Sequence, residues 1–419
     1  MLVLLLLKMP VAFAMLVPTA LYFIFGQNMA PTEMMVQKMV TTTETFTYLA
    51  VPFFTFAGVV FNYAGITQRL LGLADLLVGH LKGGLAHVNI LLSAMMGGLS
   101  GSSLADAAMQ SKILVPEMEK LGYDRGFSAA VTATSSVITP IIPPGIILIM
   151  YATAANVSVQ KMFFGGVIPG LLLGIGMFVI CFFETRKMDL HEEDQPSPTW
   201  KGFWSMMHES FLSVLAPVII IVGVLTGFVT VTEVAILAAG YVLIVGMFIY
   251  KTITLKDALK CFKGAMLFSS SIMALFSIVG IFSWLIAVEE VGKTLAALVV
   301  SWNLKPWVFF AIINVWFLLM GMIMDAIPAM TIFVPVLLPI SNSLGIDPIH
   351  FGVVVVVNLM IGLITPPVGA LLFVESKLSG VPFGNLAHRA MPFLFSMLIV
   401  LVLITYIPQL VTFIPGLFF

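Results

Sequence analysis

Charge is what this sequence has least of. Asp, Glu, Lys and Arg make up 9 % of its 419 residues, against about a quarter in ordinary soluble domains. Hydrophobic residues reach 60 %, and the mean hydropathy is +1.11. No soluble fold hides so much apolar surface from water, which excludes soluble enzymes and soluble binding modules. Roughly 250 apolar residues suffice for about a dozen membrane spans of ~20 residues each, so the chain reads as a polytopic, all-α membrane protein. A net charge of −1, with no dense Lys/Arg run interleaved with aromatics, gives nucleic acid no reason to bind. Cysteine is scarce too. Cys181 and Cys261 have neither CxxC spacing nor a histidine cluster beside them, which argues against a disulfide framework or a zinc site. They read as small apolar residues of the membrane core. Also missing are a GxxxxGK[ST] phosphate loop, an HExxH motif and a GxSxG elbow. Without them the chain shows no means of using ATP or of hydrolysis and calls for no cofactor. Any work it does must draw on an ion gradient.

The start, Met1 to Leu7 with Lys8 and further apolar residues to about Phe25, lacks the charged-first order of a signal peptide and reads as a retained first span. One long hydrophilic stretch exists, Glu184 to Glu209, and it divides the chain into residues 1–183, a linker over 184–209, and residues 210–419. Trp200, Phe203 and Trp204 beside it suit a membrane interface. A second basic segment holds Lys251, Lys256, Asp257, Lys260 and Lys263, and the positive-inside rule puts it in the cytoplasm. Two spans, Phe211 to Val229 and Glu233 to Tyr250, separate it from the linker, which places the linker on the cytoplasmic side as well.

The two parts resemble each other. Asp106 and Pro116 recur as Asp325 and Pro335, an offset of 219, whereas Leu121-Gly122-Tyr123-Asp124 recurs as Leu344-Gly345-Ile346-Asp347 at 223. Four extra residues in the second copy are about one helical turn, which a helix absorbs without rotating its faces much. Pro144 with Pro367 and Pro169 with Pro392 keep the offset of 223. Duplicated parts with helix breaks at matched positions point to a secondary transporter whose site lies at the repeat interface near the bilayer midplane. We read the copies as inverted, which requires an odd number of spans in each.

Two breaks carry the chemistry: Ser135-Ser136-Val137-Ile138-Thr139-Pro140-Ile141-Ile142-Pro143-Pro144-Gly145, and Asn358 to Gly369 with its Thr365-Pro366-Pro367-Val368 core. Prolines lack N–H groups and free the carbonyls one turn earlier, and a free carbonyl in hydrocarbon is costly unless it finds a partner. A desolvated cation is such a partner, and neutral oxygens suit sodium. The simpler account, a proline kink satisfied by neighbouring helices, explains one break better than two matched ones. Gly97-Gly98-Leu99-Ser100-Gly101-Ser102-Ser103 and Gly321-Met322-Ile323-Met324-Asp325 read as the tips of two re-entrant helical hairpins. Ser103 is the expected helix cap, with Asp106 in the first turn, a purely structural alternative for that acid. The spacing predicts one sodium site from Ser102, Ser103, Thr139, Ile142 and Gly145. A pseudo-symmetric second one comes from Gly321, Gly362, Thr365 and Val368, mostly through carbonyls. An anionic substrate would lie between the tips, near Ser100, Gly101, Asp106, Pro144, Asp325 and Pro367, where helix N-termini favour a carboxylate. Glu44, Glu233, Glu375 and Lys377 also sit among apolar residues. Glu375 and Lys377 are close enough to a helix end to snorkel, and Thr230 or Thr232 with Glu233 reads as a helix cap. His80, His87, His350 and His388 are isolated.

These features resemble the large membrane subunit of tripartite ATP-independent periplasmic (TRAP) transporters, within the ion transporter superfamily. The resemblance rests on Met9-Pro10-Val11-Ala12-Phe13-Ala14, Leu49-Ala50-Val51-Pro52-Phe53-Phe54 with Ala57-Gly58, the Gly101-Ser102-Ser103 tip, Ile142-Pro143-Pro144-Gly145, Gly227 with Thr232-Glu233, and Thr365-Pro366-Pro367-Val368-Gly369, spread over nearly the whole chain. It implies a sodium-coupled elevator in a bacterial inner membrane, in which a mobile domain carries the tips across a static scaffold. It implies two partners in addition to lipid: a small membrane subunit and a soluble periplasmic binding protein that delivers an organic acid, mainly a C4-dicarboxylate or sialic acid. The chain begins at its own first span, which fits the separate-subunit form. Physics alone leaves open a stand-alone sodium/dicarboxylate symporter of the same superfamily. A channel would need a continuous polar pore lining, for which the spans offer few residues, and no nucleophile, base or metal constellation supports an intramembrane enzyme.

Overall fold

The structure is a computed structural model and describes residues 4, 9–25, 31–97, 101–190, 200–226 and 229–419. Outside the described residues lie Ser100, most of Met1 to Lys8, Gly227 and the middle of the hydrophilic stretch. The elements are all helical. In the first part they run α1 (Val11–Phe25), α2 (Thr32–Thr43), α3 (Ala50–Tyr63), α4 (Ile66–Val78), α5 (Gly84–Gly97), α6 (Ser103–Lys120), α7 (Arg125–Ser135), α8 (Ile146–Ala154) and α9 (Val159–Thr185). Then follow α10 (Trp200–Thr226), α11 (Val231–Ile244), α12 (Leu255–Val288), α13 (Val291–Ser301), α14 (Pro306–Ile323), α15 (Ala326–Ser343), α16 (Pro348–Gly362), α17 (Ala370–Ser379), α18 (Phe383–Tyr406) and α19 (Gln409–Phe418).

Helices are the only open structures that satisfy their own backbone in lipid, and among the described residues eight are long and apolar enough to cross a membrane. Eight is fewer than a dozen because α1, α5 and α19 are apolar but shorter, and the proline breaks divide α7 from α8 and α16 from α17, none of them long enough to span alone. The chain is helical again from Trp200, and α10 lies on α4, where Ser210 Oγ donates to the Arg69 carbonyl at 3.1 Å.

One group of helices consists of α3 packed on α11 and α12, with α1 and α2 on α12 and α10 on α4. The second group holds α5–α9 and α14–α19, whose contacts are reciprocal. The outgoing arm of the first hairpin, α6, packs on α17, and the outgoing arm of the second, α15, packs on α8. Likewise α7 packs on α18 and α16 on α9. Each copy thus embraces a half-helix of the other. The turns that close α6 and α15 are built alike. Gly122 and Gly345 are left-handed, at φ 90° and 71°, a conformation that glycine adopts without Cβ strain. Asp124 and Asp347 then cap α7 and α16, accepting from Phe127 N and Ile349 N, each at 2.8 Å. The copies are bolted together at both turns. Arg125 Nε donates to the Ser379 carbonyl at 2.9 Å and Arg389 pairs with Asp124 at 3.3 Å, while Tyr151 Oη donates to the Pro348 carbonyl at 2.7 Å.

Helix ends revise the register of the repeat. Ser103 and Ala326 open α6 and α15, Lys120 and Ser343 close them, and both pairs are 223 apart. No insertion is needed. Pro116 matches Pro339, not Pro335, and the sequence misled because α15 carries prolines at both positions, one turn apart. Asp106 therefore matches Ala329, and Ser102 matches Asp325 in place of Gly321, the two serving as the caps of α6 and α15.

Candidate functional site

The first hairpin tip rests on the first break. Gly101 is left-handed at φ 56°, and a Cβ there would meet the Pro144 carbonyl and the Ile146 amide at 3.2 Å. Ser102 is the cap of α6, its Oγ accepting from Ala105 N at 3.4 Å, so Ser103 is one residue inside the helix and not the cap. Beyond the tip the chain from Ser136 to Gly145 is non-helical. The turn folds so tightly that a Cβ on Gly145 would stand 1.8 Å from the Pro140 carbonyl. The Pro143–Pro144 and Pro366–Pro367 bonds are both cis. The carbonyls of Thr139 and Pro140 receive none of the backbone N–H bonds made among the described residues, as expected where prolines follow at the positions that would donate.

Asp106 does not line the tip. It is 1 % exposed and points back between α5, α6 and the first break. Its carboxyl accepts from Ser93 Oγ, Thr139 Oγ1 and Gln110 Nε2, each at 2.8 Å. The chain of buried bonds continues from Ser93 to Ser135 at 3.0 Å, from Ser135 to Asn89 at 2.7 Å and from Asn89 to Thr132 at 2.8 Å. A capping role for Asp106 is thereby replaced by one in a polar network at the break. Sequence reading missed Asn89, Ser93, Gln110 and Thr132. The available signal was polar residues four apart on apolar helices, Asn89 with Ser93 and Asp106 with Gln110, which share a helix face.

The second copy builds the same place differently. At 223 residues further on, Ser93, Gln110, Asp106 and Thr139 become Trp316, Phe333, Ala329 and Gly362. Trp316 and Phe333 meet edge to face with centroids 5.3 Å apart, so the polar cluster belongs to one copy only. Gly321 and Gly362 pack backbone to backbone, a Cβ on either coming within 3.1 Å of the other's Cα. The second break satisfies more of its own groups. Thr365 N donates to the Gly362 carbonyl and Leu371 N to that of Leu363, both at 3.0 Å, and Thr365 Oγ1 donates to Ile361 at 2.8 Å. Val368 is exposed, as is Pro367, while Ile142 is wedged against Gly97 and Gly170.

The two tips face one cavity. Gly101, Ser102 and Ser103 line it from the first copy, Asp325, Ala326 and Ile327 from the second, and Phe268 from α12. An adjoining cavity continues from Ser102 and Phe268 to Thr55 and Asn62 on α3, so the opening runs from the tips to the other helix group. Of the residues predicted to touch substrate, Gly101 and Asp325 are at this cavity. Asp106, Pro144 and Pro367 are not among its lining residues. Asp325 accepts from its own helix's Ala326 N at 2.7 Å, which leaves the start of α6 as the N-terminus free of a carboxylate at the cap. Among the described residues no cluster of three His, Cys, Asp or Glu side chains could hold a transition metal.

The family model of the tripartite ATP-independent periplasmic transporter DctM component matches residues 1–410. The sialic acid TRAP transporter large permease protein SiaM of Vibrio cholerae is 36 % identical over 410 residues, covering 98 % of this chain and 95 % of that protein. The C4-dicarboxylate TRAP transporter large permease protein DctM of Pseudomonas aeruginosa is 34 % identical over 379 residues, with coverages of 90 % and 88 %. In fold the chain resembles the YdaH transporter of Alcanivorax borkumensis, with a TM-score of 0.63 at 13 % identity over 94 % of this chain and 96 % of that one. The chain is a multi-pass transport protein and belongs to the DctM-component family of tripartite ATP-independent periplasmic transporters.

Proposed function

We propose that this chain is the transport subunit of a sodium-coupled tripartite system that takes up a small organic acid, of the sialic acid or C4-dicarboxylate class, across the bacterial inner membrane. The observation that carries the reading is the meeting of both hairpin tips at one cavity, each tip resting beside a broken helix. The substrate carboxylate binds the N-terminal amides of α6 at Ser102 and Ser103, where the helix dipole favours an anion. The first sodium takes oxygens from Ser102, Ser103, Thr139, Ile142 and Gly145, and Thr139 and Pro140 offer carbonyls with no backbone donor among the described residues. The second uses backbone oxygens near Gly321, Gly362, Thr365 and Val368. Trp316 and Phe333 stand where the first copy keeps its acid network, so the two sites differ in strength.

The division of the helices into two groups supports an elevator, with α5–α9 and α14–α19 moving against α3, α11 and α12. A small membrane subunit enlarges that scaffold, and a periplasmic binding protein delivers the acid. Residues 1–183 and 210–419 form inverted repeats around the cytoplasmic linker. Uptake of labelled sialic acid and of a C4-dicarboxylate is to be measured in proteoliposomes holding both membrane subunits, with and without the binding protein and a sodium gradient. Accumulation of one acid only when both are present supports the reading. Uptake indifferent to sodium overturns the coupling.

A further inference from the structure

Glu375 lies in α17, where the snorkelling expected of it does not occur. Its neighbour Lys377 is exposed, but Glu375 is 0 % exposed, and neither of its carboxyl oxygens has a hydrogen-bond partner among the described residues. The side chain acting on it is Ser111 of α6, whose own hydroxyl is also buried without a partner. The elements packed on α17 are α6, α7 and α18. Their charged groups are engaged elsewhere or face outward. On α6, Lys112 is exposed, and the exposed Glu117 pairs with Lys120. Glu119 pairs with Arg125 of α7, and Asp106 is held by Ser93, Gln110 and Thr139. On α18, His388 is exposed and Arg389 pairs with Asp124. Among the described residues of these helices no cation faces Glu375.

The repeat shows that the fold does not require an acid there. The reciprocal contact in the other copy, α15 on α8, places Val334 and Ala152 at the matching positions, both 0 % exposed. An apolar pair fills that place in one copy, and a serine with a carboxyl fills it in the other. An ionised carboxylate taken out of water without a partner costs several kcal/mol, whereas a protonated one is a neutral group that donates a single hydrogen bond. Ser111, on the helix packed against α17, is the polar side chain that acts on it.

We propose that Glu375 and Ser111 form a proton-binding site between the two repeats, in which Glu375 carries a proton at neutral pH. Alkaline conditions hand that proton to water, and the carboxylate left behind loosens α6 from α17. Transport then falls as the pH rises, through a group that contacts neither the cavity nor the proposed sodium oxygens.

The test is infrared spectroscopy of the complex of both membrane subunits at neutral pH, wild type against Glu375→Gln. A protonated-carboxyl C=O band that is present in the wild type and absent from the difference partner supports the site. The same band unchanged in Glu375→Gln overturns it, because Glu375 is then ionised. Uptake in proteoliposomes adds a second readout: between about pH 7 and 9.5 the wild type falls about fivefold and Glu375→Gln less than about twofold. Equal falls in both overturn the switch. The double variant Ser111→Val with Glu375→Met copies the apolar pair of the other repeat and is expected to fold and transport without that fall. The uptake arm rests on the transport reading given above. The infrared arm does not, so a failure of the substrate assignment leaves it standing.

Discussion

Thr139 and Thr365 both lie past a helix end, directly before a proline of a break, yet their hydroxyls have different work. Thr139 Oγ1 donates to Asp106 and to the Ser93 carbonyl, tying the break to the first hairpin, whereas Thr365 Oγ1 turns back on its own helix to Ile361. Removing a charge-assisted buried bond costs about 1.5–3 kcal/mol. Thr139→Ala is therefore expected to raise the sodium concentration for half-maximal uptake about tenfold or more, and Thr365→Ala less than about threefold. A sodium titration of initial uptake rates checks both, and identical curves for wild type and both variants rule out the ion sites. At Gly145 the constraint is space and not chemistry. Alanine there collides with the Pro140 carbonyl, and overpacking against backbone costs about 1–3 kcal/mol or more. Gly145→Ala is expected to lower the melting temperature in detergent and abolish uptake, read from a thermal melt and a transport assay on the same preparation.

Elements meet here mainly through glycine and through caps. The Gly321–Gly362 contact lets α14 lie directly on α16, so a branched side chain must push the second hairpin away from its break. Gly362→Val is expected to reduce uptake at least about tenfold while leaving the proposed first sodium site, to which Gly362 does not belong, able to bind. Isothermal titration with sodium separates these effects, and full uptake by the variant contradicts the hairpin arrangement. The start of α11 offers a contrasting case. Thr230 and Glu233 form a full capping box, with Thr230 N donating to Glu233 Oε2 at 2.6 Å, so the intramembrane-looking acid is a structural one. Thr230→Ala should cost about 0.5–2 kcal/mol of stability with the sodium dependence of uptake unchanged, as a denaturation series and the sodium titration will show. His87 and His350 are structural too: His87 Nδ1 lies 2.9 Å from the Gly83 carbonyl and His350 Nε2 2.8 Å from that of Ile404.

At the scale of the whole molecule, ligand binding and stability are linked, since an ion held by the folded form alone stabilises it by RT ln(1 + [L]/Kd). Sodium at about 100 times Kd is worth about 2.7 kcal/mol per site. The melting temperature of the membrane complex is expected to rise with sodium and not with potassium, and to rise less in Thr139→Ala. A thermal shift series in the two salts at equal ionic strength decides it.

Composition and punctuation determined much of this protein without any coordinates. So little charge on so apolar a chain forces helices in lipid, and the proline pairs Pro143-Pro144 and Pro366-Pro367 break the helix where they stand, because a missing N–H is a local fact. The Leu-Gly-x-Asp turns were legible for the same reason: a left-handed glycine and a capping aspartate act on their immediate neighbours. Only the tertiary structure decided where Asp106 points, that Glu375 is enclosed while Lys377 is not, and that the two copies differ at Trp316 and Phe333. Those outcomes depend on which helix lies against which, and that choice is made by packing between residues hundreds of positions apart, to which no local pattern is sensitive.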